Sequence, residues 1–475
     1  MPSTLNNETI TAITTPLGEG AIGMIRISGE KALDALHQLF IFSHKNTEPK
    51  EFVPEPYKLQ LGWILDPKTK KNIDQVMAVY MPAPHSFTGE DVVEFHAHGS
   101  RIILDEIIRL LLALGTIRLA EPGEFSRRAF LNGKMDLSQA ESVIDLIRAQ
   151  TTKSAQLAVE QLQGGLSRQI RSIYEDIMYV TGYLEATFDF VDDDVPPIPY
   201  DELEGKSSKA RAALETLLST ARTGLLYKQG IKVVLLGFPN AGKSSLFNAL
   251  LQYDRAIVTS TPGTTRDAIR EYCDIDGIPV LLVDTAGIMK TEVEIDQESV
   301  RRSLQAIDSA DIILVVFDST DQKGSQQFLA ELPDHVRELL AEKTALVVVN
   351  KVDEQDSAEA ESFPQFTLFS FSQIAVSAKA GQGIEQLRST IKHLATGEAT
   401  SNTEDLLITN QRHQHNLEKA LGYLREGEAG LLERREGDLV AVDLRSSLEA
   451  LGEITGQVFT TELLHNVFGR FCIGK

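Results

Sequence analysis

The run IKVVLLGFPNAGKSSLFNALL, residues 231–251, decides how the middle of this 475-residue chain is read. Five of its first six residues are apolar, three of them β-branched, in the manner of a buried strand, and SSLFNALL carries apolar residues at helical spacing. Between them GFPNAGKSS, Gly237 to Ser245, matches a phosphate-binding loop in the strand-to-helix context that such a loop requires. Glycines let successive backbone N–H groups curl around phosphate oxygens. Lys243 can neutralise the β- and γ-phosphates, and the Ser244 hydroxyl can ligate Mg²⁺.

Further motifs follow in order. PGTTRD, Pro262 to Asp267, supplies Thr265, which can complete an Mg²⁺ shell only while a γ-phosphate is present, so 255–268 reads as a switch loop. DTAG, Asp284 to Gly287, ends the apolar run IPVLLV and brings a carboxylate to the metal. NKVD ends TALVVV, where Asp353 can accept from the N1–H and exocyclic amine of guanine; adenine leaves that carboxylate unpaired. SAK follows IAV and can close over the base edge. The expected nucleotide site is therefore Asn240, Ala241, Gly242, Lys243, Ser244 and Ser245, then Thr259, Ser260, Thr261, Pro262, Gly263, Thr264 and Thr265. It continues with Asp284, Thr285, Ala286 and Gly287, with Asn350, Lys351, Val352 and Asp353, and with Ser377, Ala378 and Lys379. All lie at the carboxyl ends of expected strands, where open α/β sheets bind ligands. Ile288 stands where many regulatory GTPases carry a glutamine that orients water, so hydrolysis needs another acid or amide; TEVEIDQES, 291–299, is the nearest reservoir.

Outward from this centre, the strand runs between 231 and 395 alternate with helical patterns, the texture of a doubly wound parallel sheet. Residues 10–120 mix short β-rich runs, such as AIGMIRIS and QVMAVYMP, with helical stretches around 31–40 and 101–114, an α+β pattern. After the Pro122–Gly123 breaker, helical spacing continues to about 228 and returns over 405–455, with FDFVDDDVPPIPYDE, 188–202, reading as a solvated acidic loop. The expected fold class is multidomain. It comprises an N-terminal α+β domain (1–122), a discontinuous α-helical domain (123–228 and 399–475) and an inserted P-loop α/β, Ras-like G domain (229–398).

Hydrophobic residues make up 42% and charged residues 24%, which fits a soluble globular chain with no run of membrane-spanning length. Two cysteines, Cys273 and Cys472, and a start without the marks of a secretory signal suit a reducing cytoplasm. A net charge of −22 repels phosphate backbones, so contact with RNA needs a local basic patch or a better charged partner.

TPLGEGAIGMIRISG, SFTGEDVVEFHAHG, EPGEFSRRAFLNGKMDLSQAE, TPGTTRD and the terminal FCIGK are more specific than the nucleotide motifs, and with them the chain resembles the MnmE (TrmE) family of tRNA-modifying GTPases along nearly its whole length. That resemblance implies an N-terminal dimerisation and folate-binding domain, a homodimer, and a heterotetramer with an MnmG-like flavoprotein. The pair would install an aminomethyl-type group at C5 of the wobble uridine (U34) of certain tRNAs, which are met mainly through the complex. A tetrahydrofolate derivative, 5-formyl or 5,10-methylene, is the implied one-carbon donor, and FAD is expected only in the partner. K⁺ takes the place of an arginine finger, on positions matching Asn240, Thr259, Thr261 and Thr264, and is completed when two G domains meet. Mg²⁺ falls to Ser244 and Thr265. The family's water-positioning glutamate aligns with Asp296, one methylene shorter, with Glu294 and Glu298 as alternatives, so the implied catalytic set is Asp296, Lys243, Thr265 and Cys472. Folate recognition carries over to Arg26, Glu94, Lys134 and Lys475; without the resemblance the first three read as surface charges. Cys472 is either a reactive thiol close to the folate or a small buried apolar residue. His96 and His98 share a strand face and read better as polar lining than as a metal pair. The competing expectation is a nucleotide-controlled assembly switch without one-carbon chemistry, which usually carries a recognisable RNA-binding module.

Overall fold

The computed structural model describes residues 8–16, 18–42, 54–189, 199–238, 240–253, 270–284, 305–321, 324, 327–328, 332, 334–354, 372–397 and 407–475. Chain contacts divide it into two compact units, 1–144 with 452–475 and 145–451. The second unit thus holds the middle helices and the nucleotide motifs together, while the last 24 residues, from Gly452, fold with the first. Among the described residues no helix is long and apolar enough to cross a membrane.

The first unit is built on a seven-stranded sheet of order β3-β4-β5-β6-β2-β1-β7. Its strands are β1 (Thr9–Ile13), β2 (Gly20–Ser28), β3 (Phe40–Phe42), β4 (Gln60–Leu65), β5 (Asn72–Met81), β6 (Val92–Gly99) and β7 (Ile117–Leu119). Period-two alternation decides the faces: Ile25, Ile27, Val93, Phe95, Ala78 and Val76 turn into a core shared with the helices Ala32–Leu39 and Arg101–Leu112. Arg26 and Glu94, directly opposed across β2 and β6, therefore lie on the other face. The helix Glu124–Leu131 follows Gly123, as the breaker suggested, and packs with the helix Thr461–Phe468 in a second small core around Phe130, Leu137, Leu464 and Phe468. Gly474, at φ +97, runs so close to β1 that a Cβ there would stand 2.4 Å from the Ile13 carbonyl oxygen, which docks the C-terminal segment against the sheet.

The second unit contains a six-stranded sheet of order β13-β12-β11-β8-β10-β9. Its strands are β8 (Ile231–Gly237), β9 (Arg270–Ile275), β10 (Ile278–Asp284), β11 (Ile312–Asp318), β12 (Thr344–Asn350) and β13 (Gln373–Ala375). Five are parallel, and their near-continuous apolar sequences follow from burial on both faces. To the expected parallel sheet the structure adds one antiparallel edge strand, β9, which pairs with β10 through the tight turn at Asp276–Gly277. REYCDI alternates and lacks a long apolar run, as an edge strand does.

Of the expected acidic loop, 188–202, the middle residues 190–198 lie outside the described residues, and the flanks on both sides are helical. The helix Gly165–Asp189 runs on past Phe188, and the next, Tyr200–Ser219, begins with Asp201 and Glu202 in its first turn, where carboxylates favour the positive end of the helix.

Candidate functional site

The phosphate-binding loop occupies the turn between β8 and the helix Lys243–Tyr253. Gly242 adopts φ +86, and a Cβ there would stand 2.1 Å from Asn350 Nδ2, so backbone freedom and closeness both demand glycine. Asn350 is 1% exposed and joins two motifs: its Nδ2 donates to Ala241 O (3.1 Å) and Gly242 O (3.4 Å), and its Oδ1 accepts from Ala378 N (3.0 Å). The asparagine of NKVD, expected in the nucleotide site, thus fastens the phosphate loop to the SAK loop. Ser377 is buried and accepts from Ala380 N (3.0 Å), which shapes that loop internally.

Lys243 Nζ donates to Gly237 O (2.8 Å) and Phe238 O (3.0 Å), the carbonyls at the start of its own loop. Burial pushes the ammonium below the ordinary lysine range, opposed by the Asp284 charge. Ser244 Oγ donates to Asp284 Oδ2 (3.1 Å), and Asp284, 1% exposed, stands at the end of β10. A hydroxyl and a carboxylate side by side are the hard oxygen donors that Mg²⁺ takes, so the residues fit that ion.

Lys351 lies at φ +64 beyond β12, and Asn240 in the phosphate loop at φ +67. Two non-glycine residues in the left-handed region, each costing about 1–3 kcal/mol, mark a loop set whose shape is imposed by its bonds. Lys351 Nζ pairs with Asp318 Oδ2 (2.5 Å), and its carbonyl accepts from Ser319 Oγ (2.9 Å). Burial raises the Asp318 carboxyl, and hydrogen bonds from Lys351 and Thr320 outweigh it and hold the group below the usual carboxylate range. Sequence reasoning missed Asp318 and Ser319. The signal was present, since DIILVVFD ends an apolar strand on an aspartate as IPVLLVD does. Asp353 sits on the single turn of 3-10 helix Val352–Glu354 with its side chain exposed, and Val352 donates its N–H to Val376 O (3.3 Å). Thr259, Ser260, Thr261, Pro262, Gly263, Thr264, Thr265, Thr285, Ala286, Gly287, Ile288, Glu294, Asp296 and Glu298 lie outside the described residues.

In the first unit Arg26 Nε donates to Glu94 Oε1 at 2.8 Å. Its guanidinium carbon lies 5.1 Å from the ring centre of Phe87 and 5.6 Å from that of Phe125, two aromatic faces turned to one cation. Lys134 Nζ donates to Pro84 O (3.0 Å), on the same 82–91 loop that carries Phe87. Lys475 arrives on the docked C-terminal segment and donates its backbone N–H to Cys472 O (3.3 Å). Cys472 is exposed, which removes the reading of it as a small buried apolar residue. His96 Nε2 stands 3.5 Å from Glu94 Oε2, and His98 Nδ1 2.7 Å from Asp74 Oδ1. No cluster of three or more His, Cys, Asp or Glu able to hold a metal occurs among the described residues.

Sheet, phosphate loop and strand-end motifs together define a P-loop GTP hydrolase. Family models match on both sides of and across this domain: the MnmE helical domain over residues 137–472, and the GTP-binding protein TrmE N-terminus over 9–134. A tRNA modification GTPase MnmE from Natranaerobius thermophilus is 38% identical over 471 residues, covering 99% of this chain and 100% of that one. One from Desulforamulus reducens is 40% identical over 474 residues, again covering 99% and 100%. The chain belongs to the MnmE family of tRNA modification GTPases.

Proposed function

We propose that this GTPase is the K⁺-dependent, GTP-hydrolysing component of a complex that adds a (carboxymethyl)aminomethyl-type group at C5 of the wobble uridine U34 of certain tRNAs. It acts in the cytoplasm as a homodimer, assembled into a heterotetramer with an MnmG-like flavoprotein that holds the FAD. The shared name of the full-length relatives supports the tRNA half of this reading. A net charge of −22 favours tRNA contact through the partner. The three-part division into 1–122, 123–228 with 399–475, and 229–398 is the proposed domain plan, with the ends of the helical part, 123–144 and 452–475, packed into the first compact unit.

At the nucleotide, Ser244 and Asp284 hold Mg²⁺ with Thr265 as the switch ligand, Lys243 exchanges its carbonyl partners for phosphate oxygens, and Asp353 reads guanine. Mg²⁺ supplies charge neutralisation between the β- and γ-phosphates. Asn240, Thr259, Thr261 and Thr264 offer the oxygen donors for K⁺, and Asp296, with Glu294 and Glu298 as alternatives, positions water. Hydrolysis relaxes the switch loops and drives the G-domain conformational change.

The observation that carries the one-carbon half is the Arg26–Glu94 pair set between Phe87 and Phe125. Glu94, oriented by Arg26, offers a carboxylate suited to the pterin amide and amine, and the half-buried Phe87 ring offers a flat apolar face beside it, which together fit the pterin end of a reduced folate. Lys134 and Lys475 add cations, and Cys472, exposed near the C-terminus, is the thiol assigned to the folate. Titration with 5-formyltetrahydrofolate tests this: the wild-type chain binds and Arg26→Ala does not. Equal uptake by both, or none by either, removes the folate assignment. Turnover that is the same in K⁺ and Na⁺ removes the cation assignment.

A further inference from the structure

Arg26 is fixed by two walls that its own strand does not supply. Phe87 belongs to the 82–91 loop and Phe125 to the helix Glu124–Leu131, and both rings pack with Ile10, Ala12 and Ala120 in one small core. One buried side chain joins them. Arg128, 2% exposed, donates through Nη1 to both carboxylate oxygens of Glu90 (3.1 and 3.0 Å), and through Nη2 to Glu124 Oε1 (2.8 Å) and Glu8 O (2.9 Å).

Glu90 ends the loop that carries Phe87, and Glu124 begins the helix that carries Phe125. Glu90 Oε2 also accepts from Ser28 Oγ (2.7 Å), two residues along β2 from Arg26, and Ser28 Oγ meets Thr88 Oγ1 at 2.7 Å. Loop, helix and the strand bearing Arg26 therefore meet at a single carboxylate. The planar fork of Arg128 sets Nη1 on the Glu90 carboxylate and Nη2 on Glu124, so it fixes the loop and the helix relative to each other in a way that a single-point ammonium cannot. The helix end is held separately: Arg118 donates to both oxygens of Glu124 (2.8 and 2.7 Å), so the Glu90 arm can be cut without releasing Glu124.

We infer that Arg128 and Glu90 are positioning residues for the Arg26 site, holding Phe87 and Phe125 against its guanidinium and so setting the affinity for a reduced folate. This rests on the folate assignment proposed above. It goes beyond it in giving the 82–91 loop a defined task, that of one wall whose position is set by an ion pair remote from the ligand.

The test uses the full-length chain with 5-formyltetrahydrofolate as probe. Glu90→Gln keeps the size of the side chain and an acceptor for Ser28 but removes the charge that orients Arg128. The expected result is a tenfold or larger rise in Kd, with GTP turnover unchanged and with loss of the folate-induced hydrogen-exchange protection of the 82–91 amides. Phe87→Leu removes the half-buried ring without touching a buried charge, and the same rise in Kd is expected; it decides the matter if Glu90→Gln fails to fold. Arg128→Lys retains the charge without the fork and falls between. If wild type binds, Arg26→Ala does not, and Glu90→Gln and Phe87→Leu both bind as wild type does, the positioning role is wrong while the folate assignment stands. Weaker binding with loop protection intact also overturns it, since the effect is then one of charge alone. No binding by wild type defeats the folate assignment, and this inference with it.

Discussion

Lys243 and Arg128 are both drawn out of water, and the molecule treats them in opposite ways. Among the described residues Lys243 hydrogen-bonds two backbone carbonyls, and burial lowers its affinity for the proton against the pull of the nearby Asp284 charge. Arg128 is given three carboxylate oxygens and a carbonyl. The ammonium of the lysine has no carboxylate bonded to it there and is free to exchange its carbonyls for a ligand's oxygens, whereas the arginine's carboxylates are bonded in place. Asp353 belongs with the lysine, an exposed carboxylate at a strand end, and Glu124 with the arginine, 1% exposed and gripped by two guanidinium groups. Groups of the first kind should govern GTP binding and turnover with little effect on folding; groups of the second kind should govern folding and the shape of the first unit with little effect on GTP turnover.

The largest expected effect breaks the first class. Asp353→Asn converts an acceptor into a group that opposes the guanine donors, and the preference for GTP over xanthosine triphosphate should fall by about 10⁴-fold. Competition binding with the two nucleotides measures it, with the melting midpoint unaltered. An unchanged preference would take the base-reading role from this residue. Lys243→Met should lower GTP turnover by about 10²–10³-fold while leaving stability equal or slightly higher, because a desolvated ammonium is removed. A marked fall in the thermal midpoint would mean that its two carbonyl bonds hold the loop together, and the contrast with Arg128 would lose its basis.

Breaking the second class should cost stability. Glu124→Gln leaves two arginines facing a neutral amide, and a loss of about 3–5 kcal/mol is expected in denaturant titration, with GTP turnover per folded molecule preserved. Acid sharpens the same point. Burial pushes the Glu124 carboxyl up, but bonds from Arg118, the Glu121 amide and Arg128 overcome it and bring it down to about 2, from an ordinary 4.5. A carboxyl with a lowered folded value contributes stability above its unfolded value and loses it as pH falls toward the folded one. The contribution, about 3 kcal/mol, should therefore be intact above pH 5 and fade between about 4.5 and 2, and the fade should vanish in the glutamine variant.

The same division explains what the sequence discloses. Ligand-facing groups lie in contiguous motifs, since a strand end followed by a tight loop brings neighbouring residues to one phosphate; GFPNAGKSS and NKVD are legible for that reason. Framework charges meet across long separations. Arg128 and Glu90 lie 38 residues apart, and each alone looks like surface charge. Only the i, i+4 spacing of Glu124 and Arg128 in EFSRRAF hinted at a pair. The attachment of residues 452–475 to the first unit was hidden for a related reason: a helical pattern tells which face is buried but not on what.

The smallest effect is expected at the turn between β9 and β10, where both kinds of contact occur within two residues. Lys392 Nζ pairs with Asp276 Oδ2 at 2.9 Å, with both side chains substantially exposed, whereas the carbonyl of Gly277 accepts from Thr151 Oγ1 at 2.8 Å beneath the surface. The exposed pair is screened by water and salt and must restrain two long side chains, so Lys392→Ala should change stability by less than about 1 kcal/mol, and less still at high salt. The hydroxyl bond, made by the buried Thr151 to a half-buried carbonyl, is better shielded from water than the ion pair, so the turn should stay docked when the salt bridge is gone. Hydrogen exchange at the Gly277 amide reads this directly. Protection that collapses in Lys392→Ala would show that an exposed ion pair can act as framework, and burial would then no longer separate the two classes.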